Sequence, residues 1–210
     1  MAACIEARSR SVMADKPTAI ILAAGLSQRM GENKLLLDFN GRPLIEYLLK
    51  ALPYDLFHTV LIVLASDTAS ILERKKYRIK SIINTTPERG QNFSIHLGLR
   101  NSPLSIGYCF FVADQPFISR TTIKALAHTF SDNPDKIVIP QVEGQNGNPV
   151  FFPSCCRQEL LELRGDSGGK TVIKNHPDKV LVFPCNNRWE FFDIDTPEEF
   201  ILAQQMFMER

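Results

Sequence analysis

Continuous apolar runs alternate with helical patterns along most of this chain. The run Thr18–Ala24 (TAIILAA) has no polar alternation, which suits a strand buried on both faces of a parallel sheet. His58–Ala65 (HTVLIVLA) and Tyr108–Val112 (YCFFV) read the same way, and shorter strands are expected at Lys80–Asn84 and Lys136–Pro140. Between the first two, Leu44, Tyr47, Leu48 and Ala51 recur at helical spacing. An Asn40-Gly41 turn precedes them, and Pro43 suits a first helical turn. Further helices are expected at Asp67–Lys75 with Ser66 or Asp67 as cap, at Asn92–Arg100, at Ser119–Phe130 with Ser119 as cap, and at Gln158–Leu163. The order β-α-β-α-β predicts a parallel sheet with helices on its faces. Glu143–Phe152 turns and re-enters a strand, and Val180–Pro184 and Phe191–Ile194 are expected as late strands. Thr196, Pro197 and Glu199 form the signature of a capping box that opens a last helix running to about Met208. The expected fold is a three-layer α/β/α Rossmann-like domain, mostly parallel, with a small antiparallel part late in the chain.

The whole is 210 residues long, and no linker or repeat divides it, so one domain is expected over 17–210. Residues 1–16 are expected to be a disordered extension. They carry no apolar segment of the secretory kind, and a cytoplasmic location is expected. A net charge of +1 gives no strong field for nucleic acid or a membrane surface. No apolar run is long enough to span a bilayer. The cysteines, Cys4, Cys109, Cys155, Cys156 and Cys185, are odd in number and make no C-x-x-C pair, which fits reduced thiols. Cys109 falls in an apolar strand. Helix-start packing explains Cys155 and Cys156 better than metal ligation.

Candidate chemistry gathers where strands end. After the first strand come Leu22, Ala23, Ala24 and Gly25, then a polar loop with Arg29 and Lys34. Small residues there let the backbone approach a ligand, and two cations suit a polyphosphate. By residues alone the stretch is either such a phosphate loop or a solvated surface turn. Asp114 follows Tyr108–Val112 at the usual ligand edge of an open α/β sheet, although Asp-x-Pro is also a common turn. The helix after Gly90 has an N-terminus suited to anions, or is simply capped. Capping accounts for Thr196–Glu199 but leaves Asp193 unexplained. Gly169-Lys170-Thr171 invites a P-loop reading, which fails because Arg164 stands where glycine is required and no strand precedes it. Gly165–Lys170 is then either a substrate-facing loop or a helix–helix turn with a capping Asp.

The stretch L-A-A-G-x-S-x-R-M-G-x-x-K-x-L-L that begins at Leu22 resembles the signature of nucleotidyltransferases acting on molybdenum cofactor, most of all their cytidylyltransferase branch. Later segments, Gly90 with Ser94, the D-Q-P triplet at Asp114, the D-I-D-T-P segment at Asp193 and Gly165-Asp166 with Gly168, extend the resemblance over nearly all the chain after residue 17. It implies a glycosyltransferase-A-like fold. It also implies a reaction in which the terminal phosphate of an acceptor takes a nucleotidyl group from an NTP and pyrophosphate leaves. By the resemblance, Leu22–Gly25, Ser66, Gly90 and Ser94 approach the nucleotide. Arg29 and Lys34 hold its phosphates, and with Asp114 they are the expected catalytic residues. Asp114 and Asp193 would hold Mg²⁺. Asn148, Gly165, Asp166 and Lys170 would face the acceptor, and Trp189 packs nearby or lines the site. The implied substrates are CTP and molybdopterin-bound molybdenum, with a recipient molybdoenzyme or its chaperone as a further partner. Two departures matter. Asn148 stands where the family often has histidine and cannot titrate. Ala24 stands where the guanylyl branch resembles L-A-G-G, and its methyl narrows the space for a purine. Cytidylyl transfer to a small alcohol phosphate, as in isoprenoid precursor synthesis, is an alternative. A non-catalytic nucleotide-binding maturation factor is another.

Overall fold

A computed structural model describes residues 14–68, 77–165 and 168–208. Eight strands form one sheet: β1 (Thr18–Ala23), β2 (Thr59–Leu64), β3 (Lys80–Ile83), β4 (Gly107–Val112), β5 (Ile137–Val142), β6 (Gln145–Asn146), β7 (Val150–Pro153) and β8 (Val180–Pro184). Their order is β3-β2-β1-β4-β7-β5-β6, with β8 on β5. The first four are parallel neighbours, β7 lies antiparallel between β4 and β5, and β8 runs parallel to β5. The sheet is therefore mostly parallel, with its antiparallel part late in the chain, as the apolar pattern predicts.

Alternate residues of the continuous runs feed two separate cores. Ala19, Ile21 and Ala23 of β1 face one side with Ile62, Cys109 and Phe111. There they meet α1 (Ile45–Ala51), α3 (Arg120–Asp132) and Ala203 of α6 (Pro197–Met208). Ile20 and Ala24 face the other side with Leu61, Val63 and Phe110. This side is covered by α2 (Gln91–Arg100), α4 (Arg157–Leu161) and α5 (Lys170–Asn175). Both faces of the strands are covered, which explains why β1 and β2 read as unbroken apolar runs. The result is three layers, α/β/α.

Local chemistry sets the boundaries. Ser119 Oγ accepts from the Thr122 N–H at 3.0 Å and opens α3. Asn40 and Gly41 both take positive φ, 50° and 85°, in the expected turn. Gly98 is required by packing: a Cβ there would stand 2.5 Å from Ile20 Cγ2, so α2 lies directly on β1. Phe39, fully buried, has Tyr47, Phe117, Phe200 and Phe207 around it in edge-on contacts with centroids 5.2–6.1 Å away. These rings fasten α6 to the segment that follows Lys34.

One expectation changes. Phe191–Ile194 is not a strand. A 3₁₀ turn, Arg188–Phe191, starts at Asn187, whose side chain accepts from the Trp189 N–H, and an extended segment follows. That segment bonds to the loop after β4 instead of to a ladder: Ile194 N–H donates to the Asp114 carbonyl at 3.2 Å. Ala14 pairs with Ser105 just before the expected domain start. Residues 1–13, the main part of the expected extension, lie outside the described residues, as does most of the expected helix Asp67–Lys75. Ser66–Thr68 is a single 3₁₀ turn. Among the described residues no helix is long and apolar enough to cross a membrane.

Candidate active site

The parallel pairing of β1 with β4 places their carboxyl ends side by side, Leu22 opposite Val112. The Ala113 N–H donates to the Leu22 carbonyl at 3.2 Å, so Asp114 emerges next to Ala23 and Ala24. The chain beyond Gly25 turns at Ser27, a non-glycine residue held at φ 48°. It reaches the 3₁₀ turn Lys34–Leu36, where Asn33 Oδ1 accepts from the Leu35 N–H at 3.1 Å. That cap aims Lys34 inward.

Lys34 Nζ donates to Asp114 Oδ2 and to Asp195 Oδ1, each at 2.7 Å. The Lys34 side chain is only 10% exposed, so this ion pair is screened far less than a surface one. Burial pulls its pKa down, but the Asp114 and Asp195 carboxylates more than offset that, and the net shift is upward. Asp195 is held below the usual carboxylate range by its hydrogen bond from Lys34. Arg29 approaches the outer oxygen of Asp195 at 3.6 Å with its own side chain 71% exposed, free to follow an anionic ligand.

Asp193 lies on the other side of Asp114. Gln115 Nε2 donates to Asp193 Oδ1 at 2.9 Å and, at 3.4 Å, to the Phe191 carbonyl. The surrounding chain and then the charge of Asp114 push the Asp193 carboxyl up to about 6, although its outer surface stays open to the crevice. Asp114 Oδ1 is buried and has no hydrogen-bond partner among the described residues. An orphaned buried carboxylate oxygen beside a second carboxylate of raised pKa is a donor set that suits a hard divalent cation. Among the described residues no three acidic, His or Cys side chains are already gathered at metal-holding distance; the cation standing between Asp114 and Asp195 is Lys34.

Hollows meet along this edge. One, of about 410 Å³, is bounded by Leu22–Arg29, Lys34, Gly90, Ser94, Asp114 and Asp195. It joins nearly all the residues expected to meet a nucleotide. Ser66 lies apart, in an adjoining hollow of about 530 Å³ with Asn84 and Thr85. Ser94 Oγ accepts from Asn84 Nδ2 at 3.1 Å. The other side of the crevice, about 470 Å³, has an apolar floor that includes Phe110, Ile139 and Phe152. Asn148, Lys170, Asp193 and Asp195 stand around it. One expected acceptor residue is placed differently. Gly165 does not line this hollow; its carbonyl accepts from Asn92, and Gly168 and Gly169 form the wall instead. Asp166 lies outside the described residues. Trp189 packs against Phe192, with ring centroids 5.8 Å apart, and lines none of these hollows.

Asp195 is the residue that sequence reasoning misses. Capping chemistry accounts for everything from Thr196 on, and Asp195 looks like part of that run. The available signal is the Asp193-Ile194-Asp195 alternation, in which a fully buried Ile194 turns both carboxylates toward the same crevice.

An open α/β sheet with a small-residue turn, two cations and carboxylates at the carboxyl edge of adjacent parallel strands defines an enzyme that handles phosphate esters of nucleotides. The model of the MobA-like NTP transferase domain matches residues 19–180, and the chain belongs to that family of nucleotidyltransferases. It is 37% identical to the probable molybdenum cofactor guanylyltransferase of Pyrococcus horikoshii over 88% of this chain and 97% of that protein. It is 28% identical to the purine catabolism protein PucB of Bacillus subtilis, covering 89% and 95%. The molybdenum cofactor cytidylyltransferase of Escherichia coli is 23% identical, covering 90% and 96%. Among solved structures, Rv0371c of Mycobacterium tuberculosis in complex with manganese has the same fold. Its TM-score is 0.74 at 18% identity, over 90% of this chain and 98% of that one.

Proposed function

We propose that the protein transfers CMP from CTP to the terminal phosphate of a molybdopterin-type acceptor and releases pyrophosphate. The observation that carries this reading is Lys34, bonded at 2.7 Å to both Asp114 and Asp195 at the edge where the two hollows meet. A phosphate oxygen of the acceptor attacks the α-phosphorus in line, a new P–O bond forms, and the bond to pyrophosphate breaks. The attacking oxygen is already ionised, so no general base is required, which agrees with Asn148 being unable to titrate. The obstacle is anionic repulsion and charge growing on the leaving group, and positioned cations address both. Lys34 and Arg29 meet the nucleotide phosphates. Asp114 and Asp193 would hold Mg²⁺, which would supply neutralising charge to the phosphates. Lys170, at the start of α5, meets the acceptor.

The choice of base rests on Ala24, which is 5% exposed and lines the nucleotide hollow. Its methyl narrows the space and favours the smaller pyrimidine, while one methyl supplies about 1–3 kcal/mol of discrimination. Relatives carry names for guanylyl and for cytidylyl transfer, so the base is the point to measure. Pyrophosphate release assayed with each NTP and with molybdopterin or a small alcohol phosphate as acceptor tests the reading. CTP with molybdopterin is expected to give the highest turnover efficiency, and Ala24→Gly is expected to relax the preference over GTP. A wild-type preference for GTP would overturn the cytidylyl assignment. Release with the alcohol phosphate alone would overturn the acceptor.

A further inference from the structure

We infer that Gln115 is a positioning residue that sets the cation preference of the site, by leaving Asp193 one oxygen, not two, for a divalent ion. The inference rests on the nucleotide-transfer reading of the site, in which Asp114 and Asp193 hold that ion. Gln115 follows Asp114 directly and is 3% exposed. A buried amide needs partners for its N–H groups. Gln115 Nε2 finds both on the segment before α6, Asp193 Oδ1 at 2.9 Å and the Phe191 carbonyl at 3.4 Å. A carbonyl and an ionised carboxylate can only accept, so the amide nitrogen and not its oxygen faces them. The backbone makes the same connection, because the Ile194 N–H donates to the Asp114 carbonyl at 3.2 Å. One dipeptide, Asp114-Gln115, thus supplies the first acid and holds the second.

The four carboxylate oxygens can then be assigned one by one. Asp114 Oδ2 accepts from Lys34 Nζ at 2.7 Å, and Asp114 Oδ1 has no partner among the described residues. Asp193 Oδ1 accepts from Gln115, and no hydrogen bond from the described residues reaches Asp193 Oδ2. Both acids line the acceptor side of the crevice. Each therefore has one oxygen engaged and one to give. Such a donor set is poor for Ca²⁺, which takes about six to eight oxygens and readily uses both oxygens of a carboxylate. It suits Mg²⁺, which keeps several waters and takes one or two carboxylates together with substrate phosphates. Gln115 withholds the oxygen that a larger ion would use. Removing an outer donor of this kind typically changes metal affinity by about 10–100-fold.

The test uses the full chain in excess over CTP or GTP, with Mn²⁺ as the reporting ion. Paramagnetic resonance follows bound Mn²⁺ as Mg²⁺ or Ca²⁺ is added, and the ratio of the two competition constants is the preference. The wild type is expected to take Mg²⁺ more tightly than Ca²⁺. Gln115→Met keeps the length of the side chain and loses its N–H groups, and it is expected to shift the ratio toward Ca²⁺ by about tenfold or more. Gln115→Ala is expected to behave alike and serves if the methionine variant does not fold. A ratio that stays the same in the variants overturns the inference. So does an equal weakening of both ions, which would mean that Gln115 only shapes the segment. A wild type that takes Ca²⁺ more tightly overturns it as well. Failure of the wild type to bind Mn²⁺ with either nucleotide would instead overturn the reading of the site, and the inference with it.

Discussion

Lys34 links the chemistry to the fold through two short ion pairs. Removing such a contact from a preorganised site lowers the rate on the order of a hundredfold or more. Lys34→Ala is expected to lower turnover by that amount. Adding Asp195→Ala should cost much less than its separate effect, because the two residues act in one network. Turnover measured across the double-mutant cycle checks this, and simple additivity would show that the ion pair has no catalytic role. Asp193 gives a pH signature. Its carboxyl lies near 6 in the folded protein against an ordinary value near 3.8, so the folded state holds a proton that the unfolded state has lost between those values. The group therefore weakens the fold as pH rises from about 4 to 6 and adds nothing further above about 7. In the presence of a chelator, Asp193→Asn should gain melting temperature relative to wild type over that window and stay level beyond it. As candidates, Asp114 was legible as a carboxylate just past an apolar run, Lys34 as a cation in the polar loop after another, and Asp193 as an acid that the capping of Thr196–Glu199 leaves unexplained. Asp195 was hidden because its neighbours had a sufficient local explanation.

At the scale of elements, α6 shows how a helix cap reaches the chemistry. Glu199 Oε2 accepts from the N–H groups of Asp195 and Thr196 at 2.8 and 2.9 Å, and the Glu199 N–H donates to Thr196 Oγ1 at 3.2 Å. This is the expected capping box, extended by one residue to hold the backbone of Asp195. Thr196→Ala is expected to cost about 1 kcal/mol, or a fall of about 2–4 °C in Tm for a chain of this size. Turnover should fall along with it because Asp195 shifts against Lys34. A lowered Tm with unchanged turnover would show that the cap serves the helix alone. The helices and buried strands were legible because their periodicity is local. The expected strand at Phe191–Ile194 was not, since its apolar residues are the same whether the backbone joins a ladder or, as here, gives its hydrogen bonds to the loop after β4 and to Gln115.

For the molecule as a whole, the parallel pairing within β3-β2-β1-β4 follows from alternating strands and helices, though their order does not. The insertion of β7 between β4 and β5 does not, because a four-residue apolar run carries no record of its partners. That insertion sets Asn148 and the apolar floor opposite β1, and so gives the crevice its second half. The ammonium lodged between Asp114 and Asp195 then has a consequence for what can enter. The protein brings its own counter-ion to these two carboxylates. A lone divalent ion at Asp114 Oδ1 and Asp193 would sit beside a lysine already bound to the other Asp114 oxygen, and a lone triphosphate would have to draw that lysine away from carboxylates left bare. Arriving together, the two would suit each other: Asp114 and Asp193 would hold the metal while Lys34 would turn to the phosphates. Calorimetry is expected to show CTP and Mg²⁺ each binding weakly alone and tightly as a pair, so that the crevice recognises a salt and not an ion.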